Sequence, residues 1–198
     1  MKTKPVRMLT LICFSFLVMC GLSSAQDTKK KELKPALLVI DVQNAYIPMM
    51  DQSDKDLAFK YINGVIRLFE HYKLPVIRVY HQDVNSGPDE KSEAFRFDPK
   101  IIVKDDYPMV IKHYGDSFNK TDLDKILKEK GVNTVFLSGL SATGCVLATY
   151  VGAENHDYNV FMIQNALLSP DAGQTDFIET IMNTVNYETL NFMLEYTQ

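Results

Sequence analysis

The sequence predicts an α/β fold in which a doubly wound, mostly parallel sheet carries helices on both faces. Three observations predict it. Ala36 to Ile40 is a continuous apolar run closed by Asp41, the pattern of a strand buried on both sides. Between Leu57 and Tyr72 apolar residues return at helical spacing, and Pro75 then opens a second apolar run, Val76 to Tyr80. These segments make a β-α-β unit. Strand and helix patterns keep alternating afterwards, which the layer rules resolve as one α/β domain over residues 35–198.

The chain ahead of that domain reads differently. Lys2, Lys4 and Arg7, with no acid among them, precede the apolar run Met8 to Gly21, which is short for a bilayer span. Ser23-Ser24-Ala25 then supplies small residues at a cleavage site, so residues 1–25 are expected to be a signal peptide cut before Gln26. That makes the protein exported, periplasmic or secreted. The alternatives are a lipid anchor at Cys20, against which Met19 stands where a small residue is expected, and an uncleaved anchor, against which the absence of a basic stop-transfer cluster stands. Residues 26–34 form a charged tether with no apolar periodicity.

Cleavage changes the chemistry available. Cys13 and Cys20 leave with the signal, so Cys145 is alone and cannot close an internal disulfide. Loss of three basic residues moves the formal net charge from −4 to −7, which excludes nucleic acid or an anionic membrane surface as the partner and leaves a small-molecule substrate.

The later elements follow in order. Val110 to Lys112 is a short strand, Thr121-Asp122-Leu123-Asp124 resembles a capping box opening a helix that stops near Gly131, and Thr134 to Leu137 is a strand. A helix from about Thr143, a strand over Asn159 to Ile163 and a helix near Thr175 to Val185 complete the pattern. Residues 83–99 are the longest polar excursion, either a lid or a mobile loop.

In such sheets ligands collect at the carboxyl ends of strands. Asp41 follows the first strand, Lys112 ends the third, and Cys145 lies a loop beyond the fourth, in the first turn of a helix. There, unpaired N–H groups, the helix dipole and Lys112 are expected to favour thiolate over thiol. Asp41 can take the thiol proton and return it to a leaving amine. Gly139, Ser141, Ala142 and Gly144 let the backbone approach a substrate, so the N–H groups of Ser141 and Cys145 are the candidate oxyanion hole. Each part also has an ordinary explanation: Asp41 as a loop cap, Lys112 as a solvated cation, Cys145 as a small core residue, Ser141 and Thr143 as helix caps.

Three segments, LLVIDVQNAYI, VIKHYGDSFNKTDL and SGLSATGCVLATYVGAENHDYNVFMIQNALLS, resemble the signature regions of the isochorismatase-like cysteine hydrolases, which include nicotinamidases and carbamoylsarcosine amidases. The likeness runs from about Pro35 to about Ser169. It implies a Rossmann-like, isochorismatase-like architecture, Asp41 as general base, Lys112 as the cation holding thiolate and carboxylate together, and Cys145 as the nucleophile of a thioester intermediate. It also implies a cis peptide between Leu140 and Ser141, and a homo-oligomer. Nicotinamidases of this family carry a metal on an Asp-x-His pair plus a further His after the second strand. Here that region reads Tyr80-His81-Gln82-Asp83 with no second histidine before His113, so neither metal nor cofactor is expected. His71 and His156 read as surface residues, and Asn165 stands where many relatives have Asp.

The substrate-pocket candidates are Gln43, Tyr46, His81, Tyr114 and Phe118, all just beyond strand ends; Gln43 has the second reading of holding a loop or the aspartate, and the aromatics that of ordinary packing. The expected activity is cysteine-dependent hydrolysis of a small amide or other C–N substrate. The alternatives are an ester or vinyl-ether hydrolase on the same fold and a silent small-molecule binder, for which three reactive residues together serve no purpose. A thiol redox sensor lacks a resolving cysteine.

Overall fold

The computed structural model describes residues 32–83 and 85–197, so the expected signal peptide and most of the tether lie outside the described residues. The chain forms strands β1 (Pro35–Ile40), β2 (Val76–His81), β3 (Met109–Lys112), β4 (Thr134–Leu140), β5 (Asn159–Leu168) and β6 (Thr184–Val185). Between and after them lie helices α1 (Gln52–His71), α2 (Leu123–Glu129), α3 (Leu147–Asn155), α4 (Ala172–Ile181) and α5 (Tyr187–Glu195). One six-stranded sheet has the order β3-β2-β1-β4-β5-β6, and every neighbouring pair is parallel. The sheet grows outward from β1 through β2 and β3, then from β4 in the other direction. The switch between β1 and β4 opens a crevice at their carboxyl ends.

β1 shows why the sheet is covered on both faces. Leu37 and Val39 enter the core layer under α1 and α5, while Ala36, Leu38 and Ile40 enter the layer under α2, α3 and α4. All six β1 residues are buried. Each such large side chain stabilises the fold by about 1.5–3 kcal/mol.

The element boundaries differ from expectation in instructive places. α1 starts at Gln52 because Asp51 caps it, accepting the Ser53 N–H at 2.8 Å. No capping box opens α2; Thr121 Oγ1 accepts the Leu123 N–H and donates to the Ser117 carbonyl instead. The single helix expected to Val185 ends at Ile181. Thr184 and Val185 then pair with Met162 and Ile163, and Asn186 caps α5, a helix the apolar pattern did not separate.

β5 runs on to Leu168 through an irregularity where the register against β4 shifts between Leu137 and Gly139. Asn165 adopts φ 63 there and donates its N–H to Glu179 Oε1 at 2.7 Å. The Asn side chain tolerates this left-handed backbone better than most.

The long polar excursion is anchored rather than free in its second half. Phe95 and Phe97 pack on Tyr80 with ring centroids 4.9 and 4.5 Å away, and the carbonyls of Ala94 and Arg96 accept from Ala45 and Asn44. Phe97 also bridges to Gln43, and the Asp98 N–H donates to the Val42 carbonyl, so this segment is tied to the residues that follow Asp41. On the outer side of β2, the buried Arg78 guanidinium donates to the carbonyls of Asp105 and Tyr107 at 2.7 and 2.9 Å, fixing the entry to β3.

Candidate active site

Three strands deliver the reactive groups to one rim. Asp41 leaves β1 in the left-handed region, φ 55, and is buried. Its Oδ2 lies 2.8 Å from Nζ of the fully buried Lys112 at the end of β3. β2 separates their strands, and His81 at its end bridges the gap: Lys112 is its register partner, and Nζ lies 3.0 Å from His81 Nδ1. Nζ also donates to the Tyr114 carbonyl at 3.2 Å. From β4 comes Cys145, partly buried; its Sγ, a carboxylate oxygen of Asp41 and a ring nitrogen of His81 lie within 4.8 Å of one another. Asp41 Oδ1 is buried without a hydrogen bond.

The turn that carries Cys145 is not the start of a regular α-helix. Residues Ala142 to Val146 form a π-helical turn in which Gly144 leaves helical geometry (φ −116, ψ −107), and Ser141 makes no capping bond. Thr143 Oγ1 donates to Gln174 of α4 at 3.2 Å rather than capping. The Ser141 carbonyl accepts from Gly144 and Val146. The Leu140–Ser141 peptide is cis. Just ahead of it Gly139 has φ +112, and a Cβ there would sit 2.0 Å from the Ile40 carbonyl oxygen. Only glycine lets β4 pass that close to the residue before Asp41.

Burial is the largest influence on the shifted groups of the cluster, Asp41, His81 and Cys145. Burial first, and then the Asp41 charge, raise the Cys145 thiol, with Lys112 opposing, so that together they push it up to about 11. Cys145 sits in the π-helical turn that runs directly into α3. Asp41 is itself raised, by burial first, with Lys112 and then Cys145 opposing. One carboxylate and one thiol share a single cation, so ionising both is costly and a proton passed between them is cheap. His81 is lowered by burial and then by Lys112. Tyr46 is raised to about 12, chiefly by burial.

The other sequence candidates fall into place around this core. Gln43 is fully buried; its amide accepts the His81 N–H at 2.7 Å and donates to the His81 carbonyl at 3.2 Å. Tyr46 donates its hydroxyl to that same carbonyl. Tyr114 gives the site its carbonyl, while its exposed ring and hydroxyl engage Lys120. Phe118 is buried among α2 and α3, with rings 4.9 Å from His156 and 5.7 Å from Tyr158. His71 and His156 are exposed. The linkage from Gln43 through His81 to Lys112 went unread in the sequence; the signal available was that His81 and Lys112 end adjacent strands at the same edge.

A surface cavity of about 550 Å³ between α1 and α5, lined by Lys60, Tyr61, Arg67 and Tyr187 among others, shares no residue with this cluster. After β2, Asp83 Oδ1 accepts from Asn85 N, Ser86 N and Ser86 Oγ, and His113 Nδ1 lies 2.8 Å from the Gln82 carbonyl oxygen. Among the described residues the one close trio of metal-type donors is Asp41, His81 and Cys145, and there the Lys112 ammonium already bonds to two of the three.

A family model described as the Isochorismatase domain matches residues 35–188. The chain belongs to the isochorismatase family. Within it, the chain is 28% identical over 138 residues to "Uncharacterized isochorismatase family protein YddQ" of Bacillus subtilis (strain 168), covering 66% of this chain and 76% of that protein. It is 22% identical over 148 residues to "Secreted isochorismatase effector Isc1" of Verticillium dahliae, covering 73% of this chain and 78% of that one. Among solved structures, N-carbamoylsarcosine amidase from Thermoplasma acidophilum shares the isochorismatase-like hydrolase fold, with TM-score 0.67 and 24% identity, over 78% of this chain and 95% of that one.

Proposed function

We propose that this isochorismatase-family protein is an exported, cysteine-dependent hydrolase that cleaves a small amide or related C–N substrate through a thioester. The observation that carries the reading is the buried Asp41–Lys112 ion pair at 2.8 Å with the Cys145 thiol beside it. A buried pair of this kind is weak evidence for stability, and its setting beside the lone thiol favours a chemical role.

In the proposed cycle, Cys145 Sγ attacks the substrate carbonyl carbon while its proton passes to Asp41. Lys112 then faces the charge that develops on sulfur. The carbonyl oxygen becomes an oxyanion, for which the N–H groups of Ser141 and Cys145 are the proposed donors. Collapse breaks the C–N bond, and Asp41 returns the proton to the leaving nitrogen. Water, deprotonated by Asp41, hydrolyses the thioester; the acid leaves and the thiol is restored.

A screen of small amides against the wild type and Cys145→Ala tests this, with mass spectrometry of enzyme quenched during turnover. Turnover lost in the variant and an acyl adduct on Cys145 are expected. Turnover that survives in Cys145→Ala overturns the reading. Export is proposed from residues 1–25, and the mass of protein recovered outside the cytoplasm is expected to begin at Gln26; a lipid-modified Cys20 would contradict cleavage there. Self-association is proposed as well, supported by Phe177 and Ile181, exposed one turn apart on α4. Light scattering showing only monomers rules that out.

A further inference from the structure

The loop that leaves β3 after Lys112 is fastened to the helix that follows Cys145. Lys112 Nζ donates to the Tyr114 carbonyl at 3.2 Å, and the Tyr114 backbone also hydrogen-bonds His81. Next along the loop, a Cβ at position 115 would lie 3.4 Å from the Ala148 Cβ, so loop and α3 touch there. A Cβ at position 152 would lie 2.2 Å from Asp116 Oδ1, which the Phe118 N–H holds in place; Gly152 leaves the space that this carboxylate fills. Between these points Ser117 and Thr149 are both fully buried. Thr149 Oγ1 accepts the Ser117 N–H at 3.1 Å and shares a second hydrogen bond with Ser117 Oγ at 2.7 Å, while the Ser117 carbonyl accepts from Thr121 Oγ1. Thr149 lies in the first turn of α3, directly after the turn that carries Cys145.

We propose that Ser117 and Thr149 are positioning residues: their buried hydroxyl pair docks the Lys112 loop on the Cys145 helix and so sets how closely the ammonium approaches the sulfur. The inference rests on the hydrolase reading above and adds to it the parts that hold cation and nucleophile together. Such a tie is needed because the sheet does not supply one. β3 is an edge strand whose one strand partner is β2, so strand pairing fixes Lys112 against His81. β2 and β1 lie between β3 and β4, the strand that leads to Cys145. The Ser117–Thr149 pair joins the two segments directly, in a buried setting where a fully satisfied polar pair holds one arrangement. The titratable groups facing Cys145 are Asp41 and Tyr46 from beyond β1, His81 from β2 and Lys112 from β3, and Lys112 is the lone permanent cation among them. A loop that slips on α3 therefore changes the charge beside the sulfur, and a misplacement of about 1 Å is enough to cost rate.

Two measurements on the full chain test it. Thr149→Val keeps the shape of the side chain and removes its hydroxyl. Lys112 opposes the influences that raise the Cys145 thiol, so a more distant ammonium is expected to move the pH midpoint of alkylation upward and slow labelling at neutral pH about threefold. With a small amide that the wild type hydrolyses, kcat is expected to fall about tenfold at near-unchanged KM, because neither hydroxyl is asked to touch substrate. Thr149→Ser keeps the hydroxyl and is expected to restore both readings. Ser117→Ala, which leaves the Ser117 N–H bonded to Thr149, is expected to shift both in the same direction, and it carries the test where Thr149→Val does not fold. Variants that melt lower yet label and turn over like the wild type overturn the proposal, since the pair then only stabilises the fold. A midpoint that falls, or a Thr149→Ser protein no better than Thr149→Val, overturns it too. Failure of the hydrolase reading looks different: the wild type turns over no amide and forms no Cys145 adduct, while the labelling shifts stand.

Discussion

Lys112 Nζ and Asp41 Oδ2 meet at 2.8 Å although β2 lies between the strands that carry them, and neither side chain is open to solvent. Taking both charges out of water costs free energy that their attraction only partly offsets, so neither can be removed alone without exposing that cost.

Lys112→Met is therefore expected to destabilise the fold by about 3–5 kcal/mol, since it leaves Asp41 buried and unpaired. Thermal melts of the two proteins at neutral pH check this. The double variant Lys112→Met/Asp41→Asn is expected to recover part of the loss. Equal melting temperatures for wild type and single variant would show that Asp41 is not ionised in the fold.

The pH dependence of Cys145 labelling follows from its raised pKa. Alkylation needs thiolate, so a thiol pushed up to about 11 reacts slowly near neutrality and faster as pH rises toward that value. Asp41 is one of the groups that raise it, and Asp41→Asn is expected to lower the midpoint and speed labelling at neutral pH even as turnover disappears. Lys112→Met moves the midpoint upward. A wild-type midpoint below the free-thiol value of about 8.5 would overturn this.

Gly139→Ala tests the close passage of β4. The added Cβ would sit 2.0 Å from the Ile40 carbonyl oxygen in a backbone region that L residues avoid. A loss of about 3 kcal/mol or more is expected in denaturant titrations. Wild-type stability would mean the strands separate more readily than their packing indicates.

Phe118→Ala separates packing from substrate contact. The ring is buried against His156 and Tyr158, so truncation is expected to cost about 3–5 kcal/mol of stability while the folded fraction keeps its KM. A changed KM at unchanged stability would return Phe118 to the pocket.

Much of the fold was legible because its signals are local. Ala36 to Ile40 reads as a strand buried on both faces, and such strands need a parallel sheet with helices on each side. Asp41 and Lys112 were legible as rim residues for the same reason: each closes an apolar run. β6 and α5 were not, because Thr184 and Val185 continue an apolar pattern that fits a helix as well as a strand, and only pairing with Met162 and Ile163 separates them. Gln43, Tyr114 and Phe118 lie near strand ends and were read as pocket candidates. In the structure their side chains contact the His81 backbone, Lys120 and His156 respectively.

By itself the sequence determined that Asp41 and Lys112 close strands at one edge of the sheet, because the order of apolar runs and the residues that end them are properties of the chain. Only the tertiary structure decided the electrostatic setting of the groups that meet there. Burial raises the Cys145 thiol and lowers the His81 imidazole, and the short distances to Lys112 and Asp41 act on both. Those distances arise between segments far apart in the chain, where no local pattern records them.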